Sequence, residues 1–348
     1  MSTNKNLISK RKKEQLNLCL TDEVSFKNKS NGFDNYDFIH CAVTEVDLNE
    51  IDFSTEFLKK NISLPFLISC MTGGTEEAEN INSRLASVAS ELNIPIGVGS
   101  QRRLLDGDEY NKSYKIIREN AKSVPVLSNI GAAQIVQLKD YGIVQRLVDL
   151  LEADAMVIHL NPLQEMLQLE GEPYFKGLLS SIYNLKQKLN VPIFIKEVGA
   201  GISLDSAKKL LEIGVDGIDV AGAGGTSWAG VEILRNNKKR NNQFWDWGLP
   251  TSYCIRNIKS LKESYHFTLI GSGGINNAFD NAKAFALGAD LTASARIILQ
   301  TLTNAGSTAV INLITNRFET LKKIMFLTGS NNLNELRDNK IIKKENLY

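Results

Sequence analysis

Eight short apolar runs, rich in β-branched residues, alternate along the chain with amphipathic stretches of helical period. Strands that are apolar throughout are buried on both faces, as they are in a parallel sheet. Because eight strand–helix units suit a closed ring better than an open sheet, we predict an α/β protein with a TIM (β/α)8 barrel. The runs are residues 65–70, 95–98, 125–129, 155–159, 192–196, 217–221, 268–272 and 289–293.

The remaining segments define how the chain is organised around the repeat. We predict a single barrel domain over residues 1–348, with an N-terminal extension (1–60), the barrel (61–305) and a C-terminal helical part (306–348). The polar run 236–242 is either a lid over the barrel or a solvated loop. An open, doubly wound sheet is the structural alternative, but no Gly-x-Gly-x-x-Gly motif follows the first run.

Composition excludes several classes of protein. The formal net charge is +1, so nothing global favours nucleic acid or an acidic membrane surface. There is no run of about 18 apolar residues and no apolar stretch behind the polar N-terminus. The four cysteines are scattered, without Cys-x-x-Cys spacing. We expect a reduced, cytoplasmic protein that neither spans a membrane nor binds nucleic acid.

Polar and glycine residues concentrate just after the apolar runs, where barrel enzymes carry their active sites. Two glycine-rich segments, 223–226 and 272–274, leave backbone N–H groups free to approach an anion, and they predict a phosphate site. Their alternative role is to permit tight turns. Lys196 ends an otherwise apolar strand and should face the barrel mouth, either as a functional amine or in a structural salt bridge.

Other strand-end residues indicate a planar ligand and a second anion. Thr72, Ser100 and Asn129 are short hydrogen-bonding residues at three adjacent strand ends and suit the edge of a heterocycle. Arg102 and the basic run 10–13 could form another anionic pocket, although such a run alone is often a solvated surface. The run 159–165, His-Leu-Asn-Pro-Leu-Gln-Glu, carries the most varied chemistry.

These strand ends resemble the type 2 isopentenyl-diphosphate isomerases, the FMN-dependent class. The matching segments occur in order and span nearly the whole chain, and the His-x-Asn-x-x-Gln-Glu and Gly-Gly-Thr-Ser-Trp runs are the most specific. They are Arg11-Lys12 and residues 71–74, 99–102, 129–131, 159–165, 196–199, 223–228 and 272–275.

The resemblance implies an isomerase that interconverts isopentenyl and dimethylallyl diphosphate by adding and removing protons, in isoprenoid biosynthesis. It implies FMN, kept reduced by NAD(P)H, together with Mg²⁺ and a homo-oligomer, a tetramer or an octamer. The implied FMN contacts are Met71, Thr72, Gly73, Ser100, Asn129, Lys196 and Thr226, with the phosphate on Gly273, Gly274, Ala295 and Arg296.

The resemblance also assigns the substrate side of the site. Glu165 would hold Mg²⁺, and Gln164 and Lys196 would be the catalytic residues, with Gln164 near the reacting carbons. The implied substrate contacts, besides Gln164, are Arg11, Lys12, Ser100, Gln101, Arg102, His159 and Asn161.

Two positions depart from the family pattern. Glu14-Gln15 stands where the family often has His, and Asn276 stands where it often has a basic residue. Two other functions stay open. An FMN oxidoreductase with net hydride transfer would use the same barrel, lysine and phosphate loops, although the chain has no His-Arg pair after the seventh strand. An inactive barrel acting as a scaffold is the other.

Overall fold

The fold is built around a closed ring of parallel strands. The computed structural model describes residues 2–105, 107–236, 243–338 and 340–347, and within them the ring runs β4-β5-β6-β7-β8-β9-β10-β11, with β11 pairing back onto β4. The strands are β1 Tyr36–Phe38, β2 Thr55–Phe57, β3 Lys60–Ile62, β4 Phe66–Ile68, β5 Ile96–Gly97, β6 Val126–Gly131, β7 Ala155–Leu160, β8 Ile193–Glu197, β9 Gly217–Asp219, β10 Thr268–Ser272, β11 Leu291–Ser294 and β12 Ile341–Lys343.

The barrel prediction is confirmed, because each of the eight apolar runs contributes one strand of the ring. Helices follow the strands and cover the ring. The helices are α1 Ser2–Cys19, α2 Glu76–Leu92, α3 Asn111–Asn120, α4 Ala132–Gln137, α5 Gly142–Leu151, α6 Pro162–Leu167, α7 Leu178–Lys186, α8 Leu204–Glu212, α9 Trp228–Arg235, α10 Thr251–Lys259, α11 Ala278–Leu287, α12 Arg296–Leu327 and α13 Leu333–Arg337.

Local sequence explains where several of these helices begin. The Thr75 side chain accepts a hydrogen bond from the Ala78 N–H and so caps α2, and Ser203 does the same for α8 from the Ser206 N–H. Gly214, just beyond α8, has φ = 83°, the left-handed conformation that ends a helix before the next strand.

The amino ends of the barrel strands are sealed by a hairpin. β2 and β3 pair antiparallel, and their Phe57 and Ile62 side chains join inward-facing residues such as Leu67 and Leu127 in an apolar cluster. The Phe57 and Phe194 rings meet edge to face with centroids 5.7 Å apart. This closure leaves the carboxyl ends of the strands as the open mouth.

The N-terminal extension packs on the barrel rather than standing apart from it. β1 pairs antiparallel with β12, so the two ends of the chain lie side by side. The Ser227 N–H donates to the Val24 carbonyl over 2.8 Å, which ties the segment after α1 to the sixth strand-end loop. Helix α1 itself contacts α9. As a result, α1 lies against the barrel mouth.

Helix α12 crosses the predicted boundary at residue 305, with a non-helical Gly306 (φ 88°, ψ 179°) at that point. Within the described residues it is the one helix long and apolar enough to cross a membrane, and 28% of its most apolar window is buried. Length and composition do not separate a membrane span from a core helix. The inward face of α12, including Leu302, Ile314 and Phe318, packs in the barrel's main apolar core.

The candidate lid at 236–242 lies outside the described residues beyond Asn236. The Asn236 side chain donates to the Leu167 carbonyl over 2.9 Å, which fixes the start of the segment beside α6.

Candidate active site

A cavity of about 270 Å³ opens at the carboxyl ends of the strands. Residues following every strand of the ring line it, together with residues of α1. Most of the residues that the sequence predicts for the site therefore line one cavity. Of the residues predicted for it, those in the lining are Arg11, Lys12, Met71, Thr72, Gly73, Ser100, Arg102, Asn129, His159, Asn161, Gln164, Glu165, Lys196, Thr226, Gly273, Gly274, Ala295 and Arg296.

Gln101 is predicted as a substrate contact but does not line the cavity. Its side chain is fully buried, donates to the Leu147 carbonyl over 3.1 Å and accepts a hydrogen bond from the Asn129 N–H over 3.0 Å. Both ends of the amide are thus engaged by the backbone. Gln101 supports the strand that carries Asn129, while its neighbour Arg102 reaches the cavity.

Two glycines shape one wall of the cavity. Gly273 (φ 102°) and Gly274 (φ 69°) adopt backbone conformations that favour glycine. A Cβ atom would lie 2.1 Å from the Gly222 carbonyl oxygen at Gly273 and 2.4 Å from the Gly224 carbonyl oxygen at Gly274. The tight turn rather than open space therefore requires glycine here. Gly273, Gly274, Ala295 and Arg296 are called the phosphate cup below.

The cup has hydrogen-bond donors that a phosphate would satisfy. Arg296 begins α12, and its Nη2 donates to the Ser25 hydroxyl over 2.9 Å. Its Nη1 is buried without a hydrogen-bond partner in the structure. An unpartnered guanidinium nitrogen at a helix N-terminus beside exposed glycine backbone has the donor chemistry of an anion site.

The loops after β4 and β5 form the wall on which α1 rests. The Tyr114 hydroxyl donates to the Ser100 carbonyl over 2.7 Å, and the Thr72 hydroxyl donates to Asn82. A Cβ atom at Gly73 would lie 2.4 Å from the Tyr114 ring, so α3 packs too closely on the loop after β4 for a side chain there. This packing holds Thr72 and Ser100 in fixed positions at the cavity surface.

Lys196 forms a salt bridge and also lies at the barrel mouth. Its Nζ lies 3.5 Å from the carboxylate of Asp219 and donates to the Glu197 carbonyl over 3.0 Å, while the side chain also lines the cavity. Asp219 is buried and accepts hydrogen bonds from the Ser272 hydroxyl and the Ala221 N–H. The ion pair therefore presents a positioned amine to the barrel mouth.

His159 is held in its neutral form. Burial, with smaller contributions from the charges of Lys196 and Lys12, lowers the pKa of His159 to about 3. Its Nδ1 lies 2.7 Å from Asn129 Oδ1. An amide oxygen only accepts hydrogen bonds, so we assign the proton to Nδ1. The Nε2 atom is then an acceptor.

The run that follows His159 is cross-linked by its own side chains. Asn161 Nδ2 donates to Gln164 Oε1 over 3.1 Å and to Glu165 Oε1 over 3.0 Å. Glu165 Oε2 accepts a hydrogen bond from the Glu172 N–H over 2.7 Å. Asn161 Oδ1 is buried and has no hydrogen-bond partner among the described residues. The run therefore presents carboxylate and amide oxygens, which are the ligands that Mg²⁺ prefers.

Three cationic side chains, Arg11, Lys12 and Arg102, line another part of the cavity and are called the basic wall below. Lys12 Nζ donates to the Gly73 carbonyl over 2.6 Å and to the Ser100 carbonyl over 3.2 Å. Burial, followed by the charges of Arg11, Arg103 and Arg102, lowers the pKa of Lys12 to about 7. Arg102 pairs with Glu172 over 2.7 Å. The clustering of like charges favours an anionic ligand.

Sequence reasoning missed Glu232, which no solvent reaches and which supports Gln164 from behind. Its Oε1 accepts hydrogen bonds from Gln164 Nε2 over 3.2 Å and from Gln15 Nε2 over 2.7 Å, and its Oε2 pairs with Arg235. The sequence feature that could have identified Glu232 is its position as the one charged residue in the otherwise apolar helix sequence Trp-Ala-Gly-Val-Glu-Ile-Leu. Gln15, at one of the two positions that depart from the expected pattern, thus makes its contact with Glu232.

The described residues contain no group of three or more His, Cys, Asp or Glu side chains that could hold a metal ion. A metal held by protein ligands alone is therefore unsupported. A Mg²⁺ ion commonly takes one or two carboxylates and completes its shell with waters and substrate phosphates, which Glu165 would allow.

The cavity and its phosphate cup correspond to a known class of barrel. Residues 163–343 match the family model of the FMN-dependent dehydrogenases. Two solved structures share the fold. The first is a flavocytochrome b2, with a TM-score of 0.68 and 17% sequence identity. The alignment covers 94% of this chain and 82% of the flavocytochrome chain. A lactate oxidase of Pediococcus acidilactici has a TM-score of 0.67 at 14% identity, with 92% and 88% covered. The chain is thus a barrel of the FMN-dependent class.

Curated relatives narrow the class to one family. A protein of Vibrio parahaemolyticus is 45% identical over 94% of this chain and 96% of its own length. Those of Chlorobaculum parvum (40%; 98% and 99% covered) and Nostoc sp. (42%; 94% and 93% covered) are similarly close. All three are named isopentenyl-diphosphate delta-isomerase. The chain belongs to the isopentenyl-diphosphate delta-isomerase family, which confirms the resemblance of its strand-end motifs.

Proposed function

We propose that this protein interconverts isopentenyl diphosphate and dimethylallyl diphosphate, using FMN, without net oxidation or reduction of the substrate. One observation carries the proposal: a single cavity contains both the phosphate cup and the basic wall. Two separate anion-binding regions suit a cofactor phosphate and a substrate diphosphate. The names and full-length similarity of the relatives support the same reaction.

The cup and the neighbouring strand ends fit FMN. The unpartnered Arg296 Nη1 and the glycine backbone suit its phosphate, and Thr72, Ser100, Asn129 and Thr226 offer polar groups to a heterocycle edge. When bound in its reduced form, the flavin would take part in the transfer of the proton. Lys196 would meet the flavin from β8, held there by Asp219.

Mg²⁺ at Glu165 is a further part of the proposal. The carboxylate lies beside the unpartnered Asn161 Oδ1, and Arg11 is close enough to both Glu165 and Arg102 to interact electrostatically with them. A cation on Glu165 would link this carboxylate to the diphosphate that the basic wall attracts. NAD(P)H is proposed as the reductant that keeps the flavin reduced.

The orientation of the Gln164 amide is set by two different partners. Its Nε2 donates to the Glu232 carboxylate, and its Oε1 accepts a hydrogen bond from Asn161. A primary amide is a weak acid and a weak base, so we assign Gln164 to positioning the reacting carbons. His159 and Asn161 would bind the diphosphate. Because the imidazole of His159 is neutral and its Nε2 is an acceptor, the ring would have to gain a proton, or contact the metal, before it could approach a phosphate oxygen.

A visible spectrum followed by an anaerobic isomerase assay tests the proposal. The purified protein should show a flavin spectrum that dithionite bleaches. With reductant supplied only in catalytic amounts, isopentenyl diphosphate should convert to dimethylallyl diphosphate over many turnovers. A colourless protein that takes up no added FMN, or a flavoprotein with no isomerisation, would contradict it.

The second candidate is an FMN oxidoreductase. It is favoured by the family model, which carries the name of FMN-dependent dehydrogenases, and by the fold shared with flavocytochrome b2. The same assay separates the two functions. Stoichiometric consumption of NADPH with a reduced product would support the oxidoreductase, whereas catalytic use of reductant supports the isomerase.

We also propose a cytoplasmic homo-oligomer, a tetramer or an octamer, that binds no nucleic acid. Four large apolar side chains within residues 166–183 are exposed by half or more: Met166, Leu169, Tyr174 and Tyr183. Such surface is common at interfaces between subunits. Light scattering on the purified protein should give a mass of four or eight chains, and a monomeric mass would reject the assembly.

A further inference from the structure

Arg317, in the middle of α12, is a buried arginine that the proposed reaction does not use. Only 3% of its surface is exposed. Its Nη2 donates to the Asn276 carbonyl over 2.9 Å and its Nη1 to the Ser294 hydroxyl over 3.2 Å, while its Nε is buried without a partner. Burying a guanidinium is costly unless hydrogen bonds and an opposite charge compensate it.

The two acceptors belong to the two loops that form the phosphate cup. Asn276 follows Gly273 and Gly274 after β10, and Ser294 directly precedes Ala295 and Arg296 after β11. The Ser294 hydroxyl also donates to the Ile275 carbonyl over 2.8 Å. Through these bonds, one guanidinium holds the halves of the cup together from the side away from the cavity, since Asn276 and Ser294 line the cavity and Arg317 does not.

No carboxylate in the described part of the chain pairs with the charge of Arg317. Among the ion pairs of the described residues, none joins Arg317 to an acidic side chain within 4.0 Å. Asp280 is near enough to act electrostatically, but its carboxylate accepts hydrogen bonds from the Asn276 N–H and from Asn277. Burial lowers the pKa of Arg317 to about 10, so the group stays protonated at neutral pH. A buried cation is left facing the back of the cup.

We propose that Arg317 is the buried cationic support of the FMN phosphate: it clamps the loops after β10 and β11 and adds a full positive charge behind the cup, where the side chain at 276 is an uncharged Asn. This inference rests on the proposed binding of FMN. Arg317 is a positioning residue, because it acts on the phosphate through the backbone of both loops and through its field. A phosphate in the cup would in turn compensate the buried charge.

The comparison of FMN with riboflavin tests this role, because riboflavin lacks only the phosphate. Arg317→Met removes the charge and keeps an unbranched apolar side chain. We expect the Kd for FMN, measured by flavin fluorescence quenching on apoprotein, to rise at least about tenfold, the scale of one unit charge acting near an anion at an effective dielectric constant of about 20. The Kd for riboflavin should change less than about twofold, and Arg317→Lys should restore most of the FMN affinity.

A matched control comes from the opposite end of the barrel. Arg337 donates to the Ala289 carbonyl over 2.7 Å, just before β11, so Arg337→Met also removes a charged donor to a backbone carbonyl but leaves the cup untouched. It should leave the FMN-to-riboflavin affinity ratio at the wild-type value. An Arg317→Met protein that loses affinity for both flavins equally would show a purely structural role and overturn the proposal.

Two further outcomes separate the possible failures. If Arg317→Met does not fold, Arg317→Gln, which removes the charge but keeps a hydrogen-bonding side chain, decides the matter together with ³¹P NMR of bound FMN: a phosphate resonance and phosphate pKa unchanged from wild type would reject the electrostatic role. If the wild-type protein fails to bind FMN, the proposed function falls. If wild type binds FMN and Arg317→Met binds it equally well, only the role of Arg317 falls.

Discussion

Replacing Glu232 with Gln should separate the support of Gln164 from the binding of the diphosphate. Three donors converge on this carboxylate: Gln164 Nε2 at 3.2 Å, Gln15 Nε2 at 2.7 Å and the guanidinium of Arg235. A glutamine at 232 has nearly the same shape, but it exchanges one acceptor oxygen for an NH₂ group that only donates. At least one of the three donors then faces another donor.

The cost to stability follows from the burial of the pair. The Arg235 side chain is 4% exposed and retains Glu14 at 3.2 Å and Glu170 at 3.5 Å, so its charge is not left alone. Losing one charge-assisted hydrogen bond to a buried group costs about 1.5–3 kcal/mol. At roughly 2–4 °C per kcal/mol, the Tm should fall by about 3–12 °C. Asp205→Asn, which breaks the exposed Lys209 pair, should change Tm by less than about 1 °C.

The kinetic effect should fall mainly on kcat. Without the carboxylate, the Gln164 amide loses one of the two partners that fix its orientation and keeps only the bond from Asn161, so the amide can rotate and present the wrong group to the substrate. We expect kcat to drop by about 10- to 100-fold. KM should rise by a smaller factor than kcat falls: Gln15 donates to the same Glu232 oxygen as Gln164, and α1, which carries Gln15, also carries the basic wall residues Arg11 and Lys12.

Anaerobic initial rates at saturating FMN and Mg²⁺ measure both parameters. Gln15→Ala is the matched control, because it removes a different donor from the same carboxylate while leaving the Gln164 contact in place. That variant should alter KM more than kcat, since it loosens α1, which carries the basic wall residues Arg11 and Lys12. A Glu232→Gln enzyme with wild-type kcat, or with only KM raised, would refute the role assigned to Glu232.

Three other changes probe the cofactor, the metal and the pH response. Glu165→Gln should raise the Mg²⁺ concentration needed for half-maximal rate at least about tenfold, as measured by titrating activity with Mg²⁺. An unchanged Mg²⁺ requirement would show that Glu165 does not hold the metal. Lys12 has a pKa lowered to about 7, so the free protein loses this positive charge as pH rises through 7, and kcat/KM should fall on the alkaline side. Lys12→Arg stays protonated and should move this alkaline fall to higher pH. If the pH profiles of kcat/KM for wild type and Lys12→Arg coincide, the assignment is wrong. Gly274→Ala places a Cβ 2.4 Å from the Gly224 carbonyl oxygen at φ 69°, so FMN affinity by fluorescence titration should fall at least about tenfold, with wild-type affinity counting against the cup.

Much of the fold could be predicted from local pattern. Apolar runs that alternate with stretches of helical period indicate buried parallel strands, and all eight runs form the ring; four of them open with proline. Helix α2 runs from Glu76 to Leu92, because Thr75 caps its start and Asn93, in the left-handed conformation, ends it. The pairing of β1 with β12 joins residues about 300 positions apart in sequence, and no local signal specifies it.

The site was predictable where it depends on strand ends and less so where helices contribute. Every strand of a parallel barrel delivers its following loop to the same face, so Ser100, His159 and Lys196 could be grouped from sequence alone. Gln101 shows the limit of that rule: one residue further along, the chain in the short helix 101–105 turns its side chain away from the mouth. Glu232 and Arg317 lie within helices, and their contacts are set by packing rather than by position after a strand.

Helix α1 connects the parts of the site that the barrel alone would leave independent. Lys12 bonds the backbone at Gly73 and Ser100, in the loops proposed to contact FMN, while Gln15, one helical turn later, bonds the carboxylate that orients Gln164. Residues three apart on a helix share a face, so both contacts form or break together. Arg11 lines the same cavity from the adjacent position. The packing of α1 on the mouth therefore couples the basic wall, the flavin loops and the Gln164 amide, and a substrate that favours this arrangement through its diphosphate would also order the group nearest its reacting carbons.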